Sequence, residues 1–131
     1  MNSTVLFILA LAWTIVVLVA SVIPLSININ IGSGLSFLPV KGDKILHFVA
    51  YFTLVFFWAL YAFSSDFDSK KKVLITVVLG CILYSIFIEM IQGYLSYRSF
   101  EWGDIGANIT GAVIGGLASV LLSKANSNKD S

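Results

Sequence analysis

Residues 4–23, TVLFILALAWTIVVLVASVI, contain no charged side chain. An α-helix rises about 1.5 Å per residue, so a run of this length crosses the roughly 30 Å hydrocarbon core of a bilayer. Three more apolar runs follow, and the predicted helices cover about residues 4–23, 45–63, 73–92 and 105–122. The runs are too long and too continuous for barrel strands, which alternate in short segments. The sequence therefore predicts an all-α membrane protein, a bundle of four transmembrane helices.

The composition also indicates a membrane protein. Of the 131 residues, 58% are hydrophobic and only 11% are charged, whereas a soluble domain carries about 25% charged residues. The formal net charge of +1 excludes a nucleic-acid partner, because such a partner requires a strongly basic balance. The single cysteine, Cys81, excludes an internal disulfide and a multi-cysteine metal cluster. The expected partner is the lipid bilayer.

The first apolar run is predicted to be a retained helix. Residues 1–3 contain no lysine or arginine, and no small-x-small cleavage site follows the run. The run is also longer than the apolar core of about 7–15 residues in a secretory signal peptide. The whole chain, residues 1–131, is therefore predicted to form a single transmembrane domain.

Positive residues set the predicted orientation. Five lysines lie on the side of the membrane that holds the two termini, and three positive residues lie on the other side. The two groups are Lys70, Lys71, Lys72, Lys124 and Lys129, and Lys41, Lys44 and Arg98. Because positively charged segments stay in the cytoplasm, both termini are predicted to be cytoplasmic. The first and third connections then face outward.

Polar residues on three of the helices are predicted to gather at one depth. They recur at intervals of three and four, which places each set on one helix face. The sets are Asp43, His47 and Tyr51, then Ser85, Glu89 and Gln92, and finally Asp104 and Asn108. Helices two and four run inward and helix three runs outward, so the sets meet about one to two turns below the outer surface. We therefore expect a polar site at the outer end of helices two to four, joined by Lys44 and Arg98.

Each of these residues also has a structural interpretation. Polar side chains join helices inside membranes, and an acidic residue such as Asp43 or Asp104 caps a helix start. His47 and Glu89 fit an interhelical pair. A charged residue within a span costs about 2.5–3.5 kcal/mol, so Glu89 needs a partner or a proton. Any one residue alone favours a structural role, whereas the whole set at one depth favours a functional site.

Gly111 and Gly115 form a GxxxG pair on helix four. Such a pair lets a neighbouring helix approach closely. The same stripe carries Asp104 and Asn108, so we expect it to pack inside the bundle rather than to form a dimer face.

Three ordered elements of the sequence resemble those of the VanZ-like membrane proteins. Residues 43–51, DKILHFVAY, are similar to the D-K-x-x-H-F-x-x-Y signature of that family, and residues 89–92, EMIQ, to its E-x-x-Q element. The last element, R-x5-D-x3-N-x2-G-x3-G, is matched by Arg98, Asp104, Asn108, Gly111 and Gly115. The resemblance extends over residues 43–116, which is most of the chain.

The resemblance implies a small multi-pass protein of the bacterial cytoplasmic membrane. The family takes its name from a member linked to resistance against the glycopeptide antibiotic teicoplanin. A link between this chain and glycopeptide resistance is therefore an expectation from the family name. The resemblance assigns no reaction, so whether the chain is an enzyme stays open.

The first functional hypothesis is binding of an amphipathic or lipid-linked envelope molecule, such as a cell-wall precursor head group or the acyl tail of a glycopeptide. Arg98 and Lys44 are expected to contact its phosphate. The expected ligand-binding residues are Asp43, Lys44, His47, Tyr51, Glu89, Gln92, Arg98, Asp104 and Asn108.

The alternative hypothesis is a membrane-embedded hydrolase or transferase that acts on an envelope lipid head group. His47 and Glu89 would then be the catalytic acid–base residues. Transport ranks third, because ionisable residues do not continue into the inner half of the spans.

No cofactor is expected. A divalent ion held by Asp43, His47, Glu89 and Asp104 is conceivable on ligand type, but no HExxH-like spacing supports it. The sequence leaves the oligomeric state open.

Overall fold

The computed structural model of the chain describes residues 2–23, 42–65 and 67–128. Its helices are α1 (Ser3–Val22), α2 (Gly42–Ser64), α3 (Lys70–Tyr94) and α4 (Trp102–Ser127). All four are long and apolar enough to cross a membrane, and the described residues contain no strand. The predicted bundle of four transmembrane helices is confirmed. Lys41 and Lys129, which entered the charge comparison, lie outside the described residues.

Three helices begin about one turn before their apolar runs. The first turn of α2 contains Asp43, that of α3 contains three lysines, and that of α4 contains Asp104. In α3 the Ser69 hydroxyl accepts a hydrogen bond from the Lys72 backbone N–H at 3.4 Å, which caps the helix. A helix can continue into the head-group region with polar side chains, so the apolar runs mark only the part of each helix inside the hydrocarbon core.

α4 packs closely on α2 through two glycines. A Cβ atom at Gly111 would clash with the Phe48 carbonyl oxygen, and one at Gly115 would clash with the Phe52 carbonyl oxygen. Both obstacles are backbone atoms of α2, so no side-chain rotation makes room. The GxxxG stripe therefore brings two helices of the same chain together.

α1 is held to the bundle by side chains that donate hydrogen bonds. The Trp13 indole donates to the Ala50 carbonyl oxygen on α2 at 3.0 Å. Thr14 receives two such bonds: Trp58 donates to its hydroxyl and Tyr84 to its carbonyl oxygen, both at 3.0 Å. These bonds fix α1 against α2 and α3 without a charged residue in α1.

The polar residues predicted to form the site lie at one end of the bundle. Gln92 near the end of α3 donates to the Ser21 carbonyl oxygen near the end of α1 at 3.0 Å, and Lys44 near the start of α2 donates to Asp104 near the start of α4 at 2.6 Å. We call this end of the bundle the site end. The three exposed lysines at residues 70–72 begin α3 at the opposite end.

Candidate functional site

His47 joins α2 to α4 at the site end. Its Nδ1 lies 3.0 Å from Asn108 Oδ1, and its Nε2 lies 3.5 Å from Asp104 Oδ2. The Asn108 amide nitrogen donates to Ser85 Oγ on α3 at 2.8 Å. Because that bond turns Asn108 Oδ1 toward the imidazole, Nδ1 of His47 is the donor in this orientation. One polar path therefore crosses α3, α4 and α2.

Lys44 extends this path to the start of α4. Its ammonium nitrogen lies 2.6 Å from Asp104 Oδ1 and 2.9 Å from Glu101 Oε2. The side chain passes over Gly103, where an added Cβ would lie 2.8 Å from Lys44 Cε. The positive charge of Lys44 is therefore engaged by two carboxylates of the chain itself. Its contact with a ligand phosphate stays a prediction.

Glu89 is fully buried, with 0% of the residue exposed. Its Oε1 accepts a hydrogen bond from the backbone N–H of Glu101 at 2.8 Å, whereas Oε2 has no hydrogen-bond partner among the described residues. The interhelical pair with His47 considered above does not form, because His47 bonds to Asn108 and lies beside Asp104. The Glu89 carboxylate instead accepts a hydrogen bond from the backbone of Glu101, the residue just before α4 begins.

We call these linked residues the polar network. It ties the three helices together by side chains that are buried or half-buried. Its members are Lys44, His47, Ser85, Glu89, Glu101, Asp104 and Asn108.

A cleft of about 310 Å³ opens between α1 and α2 beside the network. Its apolar lining is Trp13, Val16, Val17, Ala20, Leu46, Val49 and Ala50. Its polar lining is Ser21, Asp43, His47, Tyr51, Gln92 and Arg98. Asp43 and Tyr51 are about 12 Å apart along α2 at 1.5 Å per residue, so the cleft reaches from the site end well into the bundle.

Arg98 lies in the connection between α3 and α4 and is half-buried. Its backbone N–H donates to the Leu95 carbonyl oxygen at 3.1 Å, which closes the turn after α3. Within the described part of the chain, the guanidinium group has neither an ion-pair nor a hydrogen-bond partner. The cleft is therefore lined by an arginine that has no partner among the described residues and can form two parallel hydrogen bonds to one anion.

The predicted site residues divide into two groups that meet at His47. Lys44, His47, Glu89, Asp104 and Asn108 belong to the polar network, and Asp43, His47, Tyr51, Gln92 and Arg98 line the cleft. Tyr51 is buried, and its hydroxyl has no hydrogen-bond partner among the residues described. The Gln92 side-chain nitrogen donates a hydrogen bond to the Ser21 carbonyl oxygen of α1.

Sequence reasoning missed Glu101 and the contribution of α1. Glu101 lies three positions before Asp104, a spacing that could have marked it as a neighbour of Asp104 at the start of α4. Nothing in the apolar α1 sequence indicates that Trp13 and Ser21 line a cleft with Arg98. That arrangement depends on how α1 packs.

Three carboxylates meet at a spacing that suits metal ligands. Asp43, Glu101 and Asp104 each offer an oxygen within 4.8 Å of the others. His47 and Glu89, which completed the four-residue set considered above, are not part of this group. The Lys44 ammonium bonds to Glu101 and Asp104, and so occupies the position where a cation would bind these two carboxylates.

A family model described as VanZ/LLP1 matches residues 4–123, nearly the whole chain. The chain is also 32% identical over 90 residues to a protein of Schizosaccharomyces pombe named "Uncharacterized protein C11E3.10". The match includes 66% of this chain and 52% of the yeast protein, so the chain spans about half the length of that relative. No solved structure matches the chain.

Proposed function

The chain belongs to the VanZ/LLP1 family, and we propose that this member binds an amphipathic molecule with a phosphate-bearing head group in the cleft between α1 and α2. The head group would lie at Arg98, and an acyl chain would follow the apolar wall toward the middle of the bundle. Family membership and the four apolar helices support a location in a membrane. The ligand class is argued from the cleft itself.

One observation carries the proposal: Arg98, whose guanidinium group has no partner among the described residues, lines the same cleft as a long apolar wall. Arg98 has no partner within the described chain, and a half-buried charge is stabilised by an anion that binds it. The wall contains Trp13 and Val17, and the exposed side chains of Val16 and Val49 lie at its edge. A ligand with an anionic head group and an apolar tail would contact both Arg98 and the apolar wall. Its acyl chain could enter the cleft sideways from the bilayer.

The yeast relative supports a ligand that is not confined to bacterial walls. Phospholipids occur in bacterial and fungal membranes alike, so we favour a phospholipid over a cell-wall precursor. An acylated glycopeptide such as teicoplanin also carries an apolar tail, and binding of that tail in the cleft would be the route to resistance in a bacterial host.

Arg98→Ala is expected to weaken phospholipid binding by about tenfold or more, since a hydrogen bond to a charged group contributes about 1.5–3 kcal/mol. Native mass spectrometry of the detergent-purified full chain, titrated with phosphatidylglycerol and phosphatidylethanolamine, measures the loss. Lys124→Ala removes an exposed cation from the last turn of α4 and serves as the matched control. Unchanged affinity of the Arg98 variant for both lipids contradicts the proposal.

We also propose that the site end faces outward and that both termini are cytoplasmic, in the bacterial cytoplasmic membrane implied by the family resemblance. The lysines at residues 70–72 support this orientation, because they begin α3 at the end opposite the cleft. In a Cys81→Ala background, Ser96→Cys should react with a membrane-impermeant maleimide in intact cells. Asn126→Cys should react only after permeabilisation. The reverse pattern would overturn the orientation.

A second function, acid–base catalysis on the head group, is favoured by the position of His47. Its side chain is 15% exposed, lines the cleft, and is held from behind by Asn108 and Asp104. Because Nδ1 bonds to Asn108, the proton would move through Nε2, and the head group would have to replace Asp104 beside that nitrogen. Glu89 bonds to the backbone of Glu101 instead and does not line the cleft, so in this version His47 is the one of the two predicted acid–base residues that reaches the substrate.

Mass analysis of the lipid after incubation separates the two functions. Repeated release or transfer of head groups, lost in His47→Gln while lipid still binds, would indicate an enzyme. Unaltered lipid with full occupancy in both proteins would indicate a binding protein.

A further inference from the structure

Two residues of opposite charge line the cleft without forming an ion pair with each other. Arg98 and Asp43 both line it, and no ion pair joins them. Asp43 is exposed, and one of its oxygens accepts the Lys44 backbone N–H at 2.9 Å. A carboxylate has about four acceptor positions, so Asp43 keeps most of its capacity for a donor from a ligand.

The surroundings disfavour a head group that is only negative. An oxygen of Asp43 lies within 4.8 Å of oxygens of Glu101 and Asp104. The Lys44 ammonium contacts Glu101 and Asp104, and the buried Glu89 accepts a hydrogen bond from the backbone of Glu101. A lone anion bound at Arg98 would add negative charge beside this group. A lone cation at Asp43 would leave Arg98 without an anion.

A head group that carries both charges fits both residues. Building on the proposed binding function, we propose that the ligand is a zwitterionic phospholipid of the phosphatidylethanolamine type, with its phosphate at Arg98 and its primary ammonium group at Asp43. The guanidinium group forms bidentate bonds to phosphate oxygens, and the ammonium donates charge-assisted hydrogen bonds to the carboxylate. The acyl chain follows the wall that contains Trp13 and Val17.

The proposed ligand must carry a primary amine, because the ammonium group has to donate N–H hydrogen bonds to Asp43. A carboxylate binds an N–H donor by a directed, short hydrogen bond, whereas a quaternary ammonium offers charge but no proton. The cleft should therefore rank phosphatidylethanolamine above phosphatidylcholine, although the two have the same net charge. Phosphatidylglycerol keeps the phosphate and replaces the ammonium by hydroxyl groups, so it tests the need for the positive group.

The test is a competition among these three lipids with matched acyl chains, read by native mass spectrometry of the full chain in detergent. We expect the unaltered chain to bind phosphatidylethanolamine at least about fivefold more tightly than either of the others. Asp43→Asn should remove this preference by weakening phosphatidylethanolamine, with phosphatidylglycerol unchanged or tighter. Asparagine keeps a side-chain oxygen at the helix start, and thermal unfolding of the variant checks that the bundle is intact. Asp68→Asn, an exposed acid in the α2–α3 connection, is the control and should leave the preference unchanged.

The outcomes separate this inference from the function on which it rests. The proposal of a zwitterionic ligand fails if the unaltered chain binds phosphatidylglycerol as tightly as phosphatidylethanolamine or more tightly. It also fails if the preference for phosphatidylethanolamine survives Asp43→Asn. If phosphatidylcholine and phosphatidylethanolamine bind equally well, the primary amine does not donate a hydrogen bond to Asp43. If Arg98→Ala changes the binding of none of the three lipids, the proposed function itself fails.

Discussion

Gly111→Ala is expected to lower the free energy of unfolding by about 3 kcal/mol, at the upper end of the effect of overpacking a close contact. The new methyl group would clash with the Phe48 carbonyl oxygen and lie 3.0 Å from the Phe52 backbone nitrogen. Both atoms belong to the α2 backbone, so the strain is relieved only if α2 and α4 separate. Separation would also pull His47 away from Asn108, one turn before Gly111.

Gly106→Ala is the matched control for this prediction. It changes a glycine of the same helix, but an added Cβ there has no neighbouring atom within 4 Å. Alanine is favoured over glycine inside a helix by up to about 1 kcal/mol, so this variant should be as stable as the unaltered chain or slightly more stable. Thermal unfolding in detergent, followed by circular dichroism, measures both. Equal losses at the two positions would show that the glycines do not set the distance between the helices.

The helices and the glycine stripe were predictable because they depend on local sequence. A run of apolar residues fixes a membrane span by length alone, and a small residue every fourth position fixes a face. The sequence could not show which helix uses that face. The structure assigns it to α2, since Phe48 and Phe52 present their backbone to Gly111 and Gly115.

The sequence could predict which residues lie near one another at one depth, but not which side chains bond to each other. Spacing by four places His47 and Asn108 on faces that meet at one depth, and the two side chains do contact each other. The partners of Lys44 and Glu89 depend on helix rotation, on side-chain rotamers and on the path of the chain before α4. Spacing carries none of this information. Arg98 in particular lies outside any helix, so its place in the cleft wall follows from the turn after α3.

Lys44→Met is expected to destabilise the bundle by about 2 kcal/mol. The substitution keeps much of the apolar stem and removes the ammonium that bonds to Asp104 and Glu101. Breaking a fully buried pair costs about 3–5 kcal/mol, but 23% of the Lys44 side chain and 11% of the Asp104 side chain are exposed, which lowers the expected cost. Without the ammonium, Asp104 and Glu101 lose the hydrogen bonds that Lys44 donates to them.

A double-mutant cycle distinguishes this pairing from a simple loss of packing. Asp104→Asn in the Lys44→Met background neutralises the carboxylate that lost its 2.6 Å contact with the Lys44 ammonium. The double variant should therefore recover about 1 kcal/mol relative to Lys44→Met alone. Lys71→Met, which changes an exposed lysine at the opposite end of the bundle, should alter stability by no more than about 0.5 kcal/mol. If the second substitution only adds to the loss, the Lys44–Asp104 contact does not stabilise the fold.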